Sequence, residues 1–428
     1  MNISRRAALK SHALIALGAT TLFPPRLRAA DAALQKLRVG VAGLGRGLGH
    51  VSALLQIPNV EIAWLAEVDP NRLATAMKTV ADKQQSPCLG LTDFRKGLED
   101  KSLDAVFIAL PNFWHTPAAL LALQAGKHVY VEKPGSQNPR EAEMLVEAAQ
   151  KYGRLVQMGN QRRTWMKDAI EALHAGAIGG VHFGRAFYYA SRPAIGKGDL
   201  KAPPDLDFNL WQGPVPDDTD HDMRSFIHYD WHWLWHWGNG ELGNNGVHFL
   251  DILRWGLKVD FPLRVTYTGG RYHHDDKQQT PDTATAAYDF GTSGCEWVQS
   301  SCHPREAEKP PGEIVFYGKD GTMAIASGSW TIFDPKGAVV SQGKASNAGS
   351  GDVSHIGNFI DAIRLGTKLN SPIIEGQKST MLCHLGNIAY RTNTVVQCDP
   401  KTGKMLDNPA ALKLWGRDAY RPGWEVKV

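Results

Sequence analysis

Between residues 228 and 248 the chain reads HYDWHWLWHWGNGELGNNGVH, with four tryptophans and three histidines in the first ten positions. His232 and His236 stand four apart, the spacing at which two imidazoles on one helical turn can hold zinc. The glutamate of such a motif is missing and no third ligand follows. Tryptophan at every second position (Trp231, Trp233, Trp235, Trp237) suits an extended chain, with histidines on one face and indoles on the other. The expectation is therefore no metal, but an aromatic wall for something flat and polar. Trp231, His232, Trp235 and His236 are expected to face that ligand, and at least two of the four indoles to be core.

A second chemical signal lies near the start. The apolar run Leu37–Ala42 is followed by Gly43-Leu44-Gly45-Arg46-Gly47-Leu48-Gly49. Glycines directly after a strand let the backbone approach a pyrophosphate at a helix N-terminus, where free N–H groups favour anions. Gly43 and Gly45 fit the first two fingerprint positions; Leu48 breaks the third, which passes to Gly47 or Gly49. Glu67 lies 22 residues beyond Gly45, where a carboxylate accepts from ribose hydroxyls and repels a 2′-phosphate. NAD is thus favoured over NADP, with Asp69 as the alternative acid.

These residues need elements to hold them. Leu37–Ala42, Val60–Ala66, Asp104–Leu110 and His128–Val131 read as buried strands with helical segments between them, the pattern of a doubly wound parallel sheet. After about residue 158 the pattern changes. Val181–Tyr189 and Ala284–Phe290 alternate as half-exposed strands do, and Glu296–Ser300 and Glu313–Tyr317 read as further short ones. Apolar stripes at Val353, Ile356, Phe359, Ile360 and Ile363, and at Met381, Leu385 and Ile388, predict two helices near the end. The fold expected is α/β: residues 36–158 form the nucleotide-binding unit. Residues 159–428 form an α+β unit on a large open, mostly antiparallel sheet.

Taken together, VGVAGLGRGLGH, LPNFWH (110–115), AGKHVYVEKP (125–134), GNGELGNNGVHFLD (238–251) and HLGNIAYR (384–391) resemble the Gfo/Idh/MocA family, the glucose–fructose oxidoreductase and inositol dehydrogenase group. The resemblance implies a Rossmann domain, a second domain on an open sheet, and an active site between them. It also implies that Lys133 of Glu132-Lys133-Pro134 stands beside the nicotinamide. There it would hold the reacting hydroxyl, its pKa lowered by desolvation; Pro134 is expected to hold a special turn with a cis bond. The family pairs an acid with a histidine four residues later. Here His248, the expected base, is preceded by Asn244, which can orient it or bind a hydroxyl, and Glu241 or Asp251 is left to supply charge. Pro111, Asn112 and His115 join Arg46 and Glu132 on the cofactor side, while Gln161 and Arg162 face the substrate.

The rest bounds the setting. Five of the 47 basic residues stand before residue 31, where there is no acid, leaving 42 against 43 acidic residues. That near-neutral remainder gives no reason to expect nucleic acid or an anionic membrane as partner. Residues 1–30, with Arg5-Arg6, an apolar run and Ala29-Ala30, resemble a twin-arginine export signal, so the protein is expected in the periplasm or otherwise exported. The five cysteines show no zinc spacing. An exported enzyme of this kind must keep its NAD bound and recycle it, either by oxidising one sugar and reducing another, or by redox-neutral glycoside hydrolysis through transient C3 oxidation. A non-catalytic sugar-binding relative is the third reading. A homo-oligomer, dimer or tetramer, is expected.

Overall fold

The computed structural model describes residues 35–197, 202–217, 223–326, 328–347, 351–406 and 408–428; the expected export signal, residues 1–30, lies outside them. Six strands open the fold: β1 (Leu37–Ala42), β2 (Val60–Ala66), β3 (Leu89–Leu91), β4 (Ala105–Ile108), β5 (His128–Val131) and β6 (Val156–Met158). They pair in parallel in the order β3-β2-β1-β4-β5-β6. Helices on both faces bury them, which is why β4 reads as an unbroken apolar run and β1 as one interrupted only by Arg38. Gly40 is required inside β1, because a Cβ there would lie 2.1 Å from the Trp64 ring. The helix Pro70–Ala81 begins where Asp69 accepts from the N–H groups of Asn71 and Arg72. Strand order reverses between β1 and β4, so a crevice opens at their C-terminal ends.

The second sheet has nine strands: β7 (Val181–Tyr189), β8 (Arg264–Gly270), β9 (Thr283–Asp289), β10 (Gly294–Ser300), β11 (Ile314–Gly318), β12 (Thr322–Ala326), β13 (Ser329–Phe333), β14 (Val339–Lys344) and β15 (Val396–Gln397). Their order is β14-β13-β12-β11-β7-β10-β9-β8-β15, antiparallel except for the β7–β10 pair. Helices Val247–Leu257 and Ile373–Thr392 pack on one face, burying Leu250, Leu253, Leu382 and Leu385. The expected α/β architecture with a large open sheet is what forms.

Sequence position and packing part company in one place. Helix Gly351–Leu365 belongs to the second half of the chain, yet Ile356, Phe359 and Ile360 complete the core around Val39, Val41 and Phe107 of the first. The C-terminal segment likewise returns to the first domain, with Trp424 edge-on to Trp114 and Arg417 paired to Glu141.

The tryptophan-rich stretch departs from the extended chain expected of it. Asp230–Trp233 is a 3-10 turn, followed by a further turn, and the backbone N–H groups find local partners: Trp231 N on Phe226 O, Trp237 N on Leu234 O. A strand would need a ladder neighbour for those groups, and among the described residues no strand pairs with this stretch. The chain doubles back so tightly that a Cβ on Gly238 would lie 2.2 Å from His232 O. Trp231, Trp233 and Trp237 are buried, so three of the four indoles are core.

Candidate functional site

A cavity of about 690 Å³ lies at the C-terminal ends of β1, β2, β4 and β5, closed on its far side by the tryptophan-rich turn and the segment after β7. Gly43, Gly45, Arg46, Glu67, Pro111, Asn112, His115, Glu132, Lys133, Trp231, His232 and Asn244 all line it. Sequence reasoning thus converges on one place from five separate stretches.

Its first half suits a dinucleotide. Gly43 has φ +84°, and a Cβ on it would lie 2.5 Å from Ala109 O, so only glycine allows this turn to close on β4. The helix that follows, Gly47–Leu54, has no side-chain cap and no acid in its first turn, which leaves its N-terminal N–H groups available to an anion. Gly47 itself is buried and starts that helix without lining the cavity. Glu67 accepts from Leu44 N at 2.7 Å through one oxygen, and from Val68 N and Asp69 N through the other. A carboxylate offers about four lone-pair positions, so acceptor capacity remains toward the cavity. Asp69, the alternative acid, is engaged as a helix cap and with His228 Nε2 at 3.1 Å. Glycine turn, uncapped helix and strand-end acid together fit NAD.

The second half is built around Glu132 and Lys133, on a cis Lys133–Pro134 peptide. Glu132 is buried and accepts from His50 Nε2 (2.9 Å), Arg46 Nε (3.1 Å) and Gln161 Nε2 (3.2 Å). Burial alone raises its pKa, but His50, Arg46 and Lys133 outweigh it and hold the carboxyl well below the usual range. His115 braces the two strand-end loops, with Nδ1 2.5 Å from Pro134 O and Nε2 2.7 Å from Leu110 O. Lys133 Nζ donates to Asn244 O at 2.8 Å and to Asn244 Oδ1 at 2.9 Å. Burial pulls the lysine pKa down; Glu132 opposes this, and Arg46 adds to it. Asn244 therefore meets Lys133 directly, a role the four-residue spacing to His248 did not suggest.

Several expected residues lie elsewhere. His248 does not line the cavity; its Nδ1 is buried with no partner among the described residues. Burial, with Lys133 and Arg162 nearby, holds its pKa well below the ordinary value. Gln161 supports Glu132 and does not face the cavity, and Arg162 pairs with Glu313 at 2.6 Å while stacking on Phe249. Trp235 and His236 line a different cavity of about 470 Å³, against Asn387 and Arg391. The turns in the stretch carry them away from Trp231 and His232, so the four form two pairs. Neither candidate for the missing charge approaches His248 as a partner: Glu241 is held by Arg192, and Asp251 by Arg163 at 2.8 and 2.9 Å. Among the described residues no group of three metal-ligating side chains stands together.

Sequence reasoning missed Arg72, Tyr188, Arg192 and Asn245, all of which line the cavity. Arg192 donates to Glu241 through Nε (2.7 Å) and Nη2 (3.2 Å), to Tyr188 OH (2.9 Å) and to Tyr229 OH (3.0 Å). Its only sequence signal is a polar residue just beyond a strand end, too common to single out. Arg72 sits on the first turn of Pro70–Ala81, where a Cβ on Gly45 would lie 3.0 Å from its Nη1.

Comparison with known proteins gives matches to both halves. Residues 37–160 match the oxidoreductase family NAD-binding Rossmann fold, GFO_IDH_MocA, and residues 178–301 match its C-terminal alpha/beta domain, so the two together cover more than half of the chain. A glycosyl hydrolase family 109 protein of Saccharopolyspora erythraea is 32% identical over 161 residues, 36% of this chain and 35% of that protein. An inositol 2-dehydrogenase of Salmonella typhimurium is 31% identical over 130 residues, 30% and 38% respectively. The matched stretch therefore spans about a third of the length of these curated relatives. Levoglucosan dehydrogenase in complex with NADH superposes with a TM-score of 0.67 at 16% identity, over 85% of this chain and 99% of that one. The WlbA dehydrogenase from Bordetella pertussis, with NADH and UDP-GlcNAcA, gives 0.64 at 18%, also over 85% and 99%. Both share this fold.

Proposed function

The chain belongs to the Gfo/Idh/MocA oxidoreductase family, and on that footing we propose that it is an NAD-dependent oxidoreductase acting on a carbinol of a sugar or sugar derivative. The observation that carries the reading is Lys133. It stands in the cavity wall beyond the glycine turn, with two of its hydrogens fixed on Asn244 and one position left for a substrate oxygen. Bound at the glycine turn, NAD supplies the hydride acceptor. Lys133 orients the reacting hydroxyl and, as the neutral amine that its burial favours, accepts the hydroxyl proton. His248, also kept neutral, stands outside the cavity lining, so the proton is assigned to Lys133. The indole of Trp231 and the ring of His232 help close the site to water.

Two consequences follow from the charges. Glu67→Ala removes the carboxylate that opposes a 2′-phosphate and leaves Arg72 beside the turn. The preference for NAD over NADP should narrow by about tenfold or more, read as the ratio of the two dissociation constants; an unchanged ratio removes Glu67 from the ribose site. Asn244→Asp puts a carboxylate where the amide oxygen now lies 2.9 Å from Nζ. An opposite charge favours the ammonium, against the direction set by burial, so Lys133 loses its proton at higher pH. The ascending limb of kcat/KM should move to higher pH, with activity at pH 7 down about tenfold. A limb that stays in place would mean that Lys133 is not the titrating group.

A second reading, redox-neutral glycoside hydrolysis, is favoured by the relatives named as glycosyl hydrolase family 109 proteins. We further propose export through the twin-arginine signal of residues 1–30, with NAD carried bound and recycled in place. The test is to purify the mature protein, measure NAD released on denaturation, and supply aryl glycosides with no added cofactor. Steady hydrolysis supports the second reading. Ketose reduction coupled to aldose oxidation supports the first, and a protein unable to bind NAD overturns both.

A further inference from the structure

Two side chains of the cavity have their hydrogen-bonding direction fixed by the protein around them. Tyr229 OH accepts from Arg192 Nη1 at 3.0 Å. It also meets Asn244 Nδ2 at 3.5 Å, with the amide oriented by Oδ1, which accepts from Lys133 Nζ. Both neighbours of the phenol oxygen are donors, so the Tyr229 proton has to point to a third partner. The side chain is 46% exposed and lines the cavity, so that proton is available to a ligand there.

His232 is fixed in the opposite sense. Its Nδ1 lies 2.5 Å from Tyr229 O, a carbonyl that can only accept, so Nδ1 carries the proton. Desolvation by the surrounding protein drives the ring's pKa down to about 3, despite that carbonyl, so it stays neutral. Nε2 is then a bare acceptor on a ring that lines the cavity. The Trp231 indole stacks on this ring with centroids 3.7 Å apart and holds its plane.

We propose that Tyr229 and His232 form a donor–acceptor clamp for one free substrate hydroxyl, and so decide which polyols enter. The clamp rests on the oxidoreductase reading and names its substrate class more closely. A hydroxyl can accept from Tyr229 and donate to His232 at once. An ether oxygen can only accept, and a C–H can do neither. Arg192 is a positioning residue here: pinned to buried Glu241, it holds the phenol in place through the hydrogen bond that it donates.

The test uses the full-length, NAD-loaded protein and measures binding of D-glucose, levoglucosan, myo-inositol and the monodeoxyglucoses by saturation-transfer NMR. Tyr229→Phe removes the donor. His232→Asn removes the Nε2 acceptor while its carboxamide can still reach Tyr229 O, and His232→Gln restores an acceptor near the Nε2 position. For the tightest polyol, Tyr229→Phe and His232→Asn should each weaken binding about tenfold, with His232→Gln recovering most of the loss and NADH affinity unmoved. One deoxyglucose should bind the unmodified protein as weakly as glucose binds the variants, and should be insensitive to both substitutions. Equal losses on every deoxy sugar, no loss at all, or a parallel fall in NADH affinity would overturn the clamp alone. Failure of every polyol to bind the NAD-loaded protein would overturn the clamp and the oxidoreductase reading together.

Discussion

Lys133→Ala is expected to lower kcat by about 10³-fold while NAD affinity stays within about threefold. The size follows from removing a positioned proton acceptor, a contribution of typically 10²–10⁴. The cofactor half keeps its parts: the glycine turn, the uncapped helix and Glu67 are held without the Lys133 amino group, whose hydrogen bonds go to Asn244. Lys133→Arg should not rescue activity, since a guanidinium cannot give up its proton near neutral pH. Lys133→Met, of similar volume, keeps the packing and should be as inactive as alanine. Pre-steady-state formation of NADH at the wild-type rate in any of the three would remove the lysine from the chemistry. A fall in NAD affinity of the same size as the fall in kcat would show a binding role in its place.

The sheets and the glycine turn were legible because each rests on a local pattern, whereas Lys133 was singled out only by the family resemblance of its Glu-Lys-Pro stretch. A buried parallel strand reads as an apolar run, and a pyrophosphate turn demands glycine. What escaped were pairings over long separations. Arg192 meets Glu241 across 49 positions, and Asn244 meets Lys133 across 111. The spacing rule for helices suggested Asn244 with His248, but the segment Leu242–Gly246 is a π turn that runs into the helix Val247–Leu257. Such an irregular turn shifts which side chains share a face. The tryptophan alternation misled for a related reason. Alternate large apolar residues describe a strand only if a neighbouring strand takes the backbone hydrogen bonds. Here the chain turned on itself, separating Trp231 and His232 from Trp235 and His236.

Asp251 tests the same distinction between a charge near the chemistry and a charge that holds the scaffold. Lying three residues after His248, it was a candidate for the missing catalytic acid. In the structure it accepts two hydrogen bonds from Arg163 and one from Ser379 Oγ at 2.6 Å. It is fully buried and ties the start of the second domain to helices Val247–Leu257 and Ile373–Thr392. Asp251→Ala leaves the Arg163 guanidinium buried, with Glu375 at 3.8 Å as its remaining acid. Breaking one side of a buried pair destabilises by about 3–5 kcal/mol, which for a chain of this size lowers Tm by roughly 3–6 °C. Asp251→Asn keeps one acceptor oxygen and should lose less. If Asp251 is structural, kcat per folded molecule at 20 °C stays within about twofold of wild type and the pH profile does not move. If it serves His248 instead, kcat falls at that temperature and the profile shifts while the protein is still folded. Because His248 and Asn244 hang on the helix that Asp251 anchors, the two outcomes separate only when folding is measured alongside turnover, by thermal unfolding of the same NAD-loaded sample.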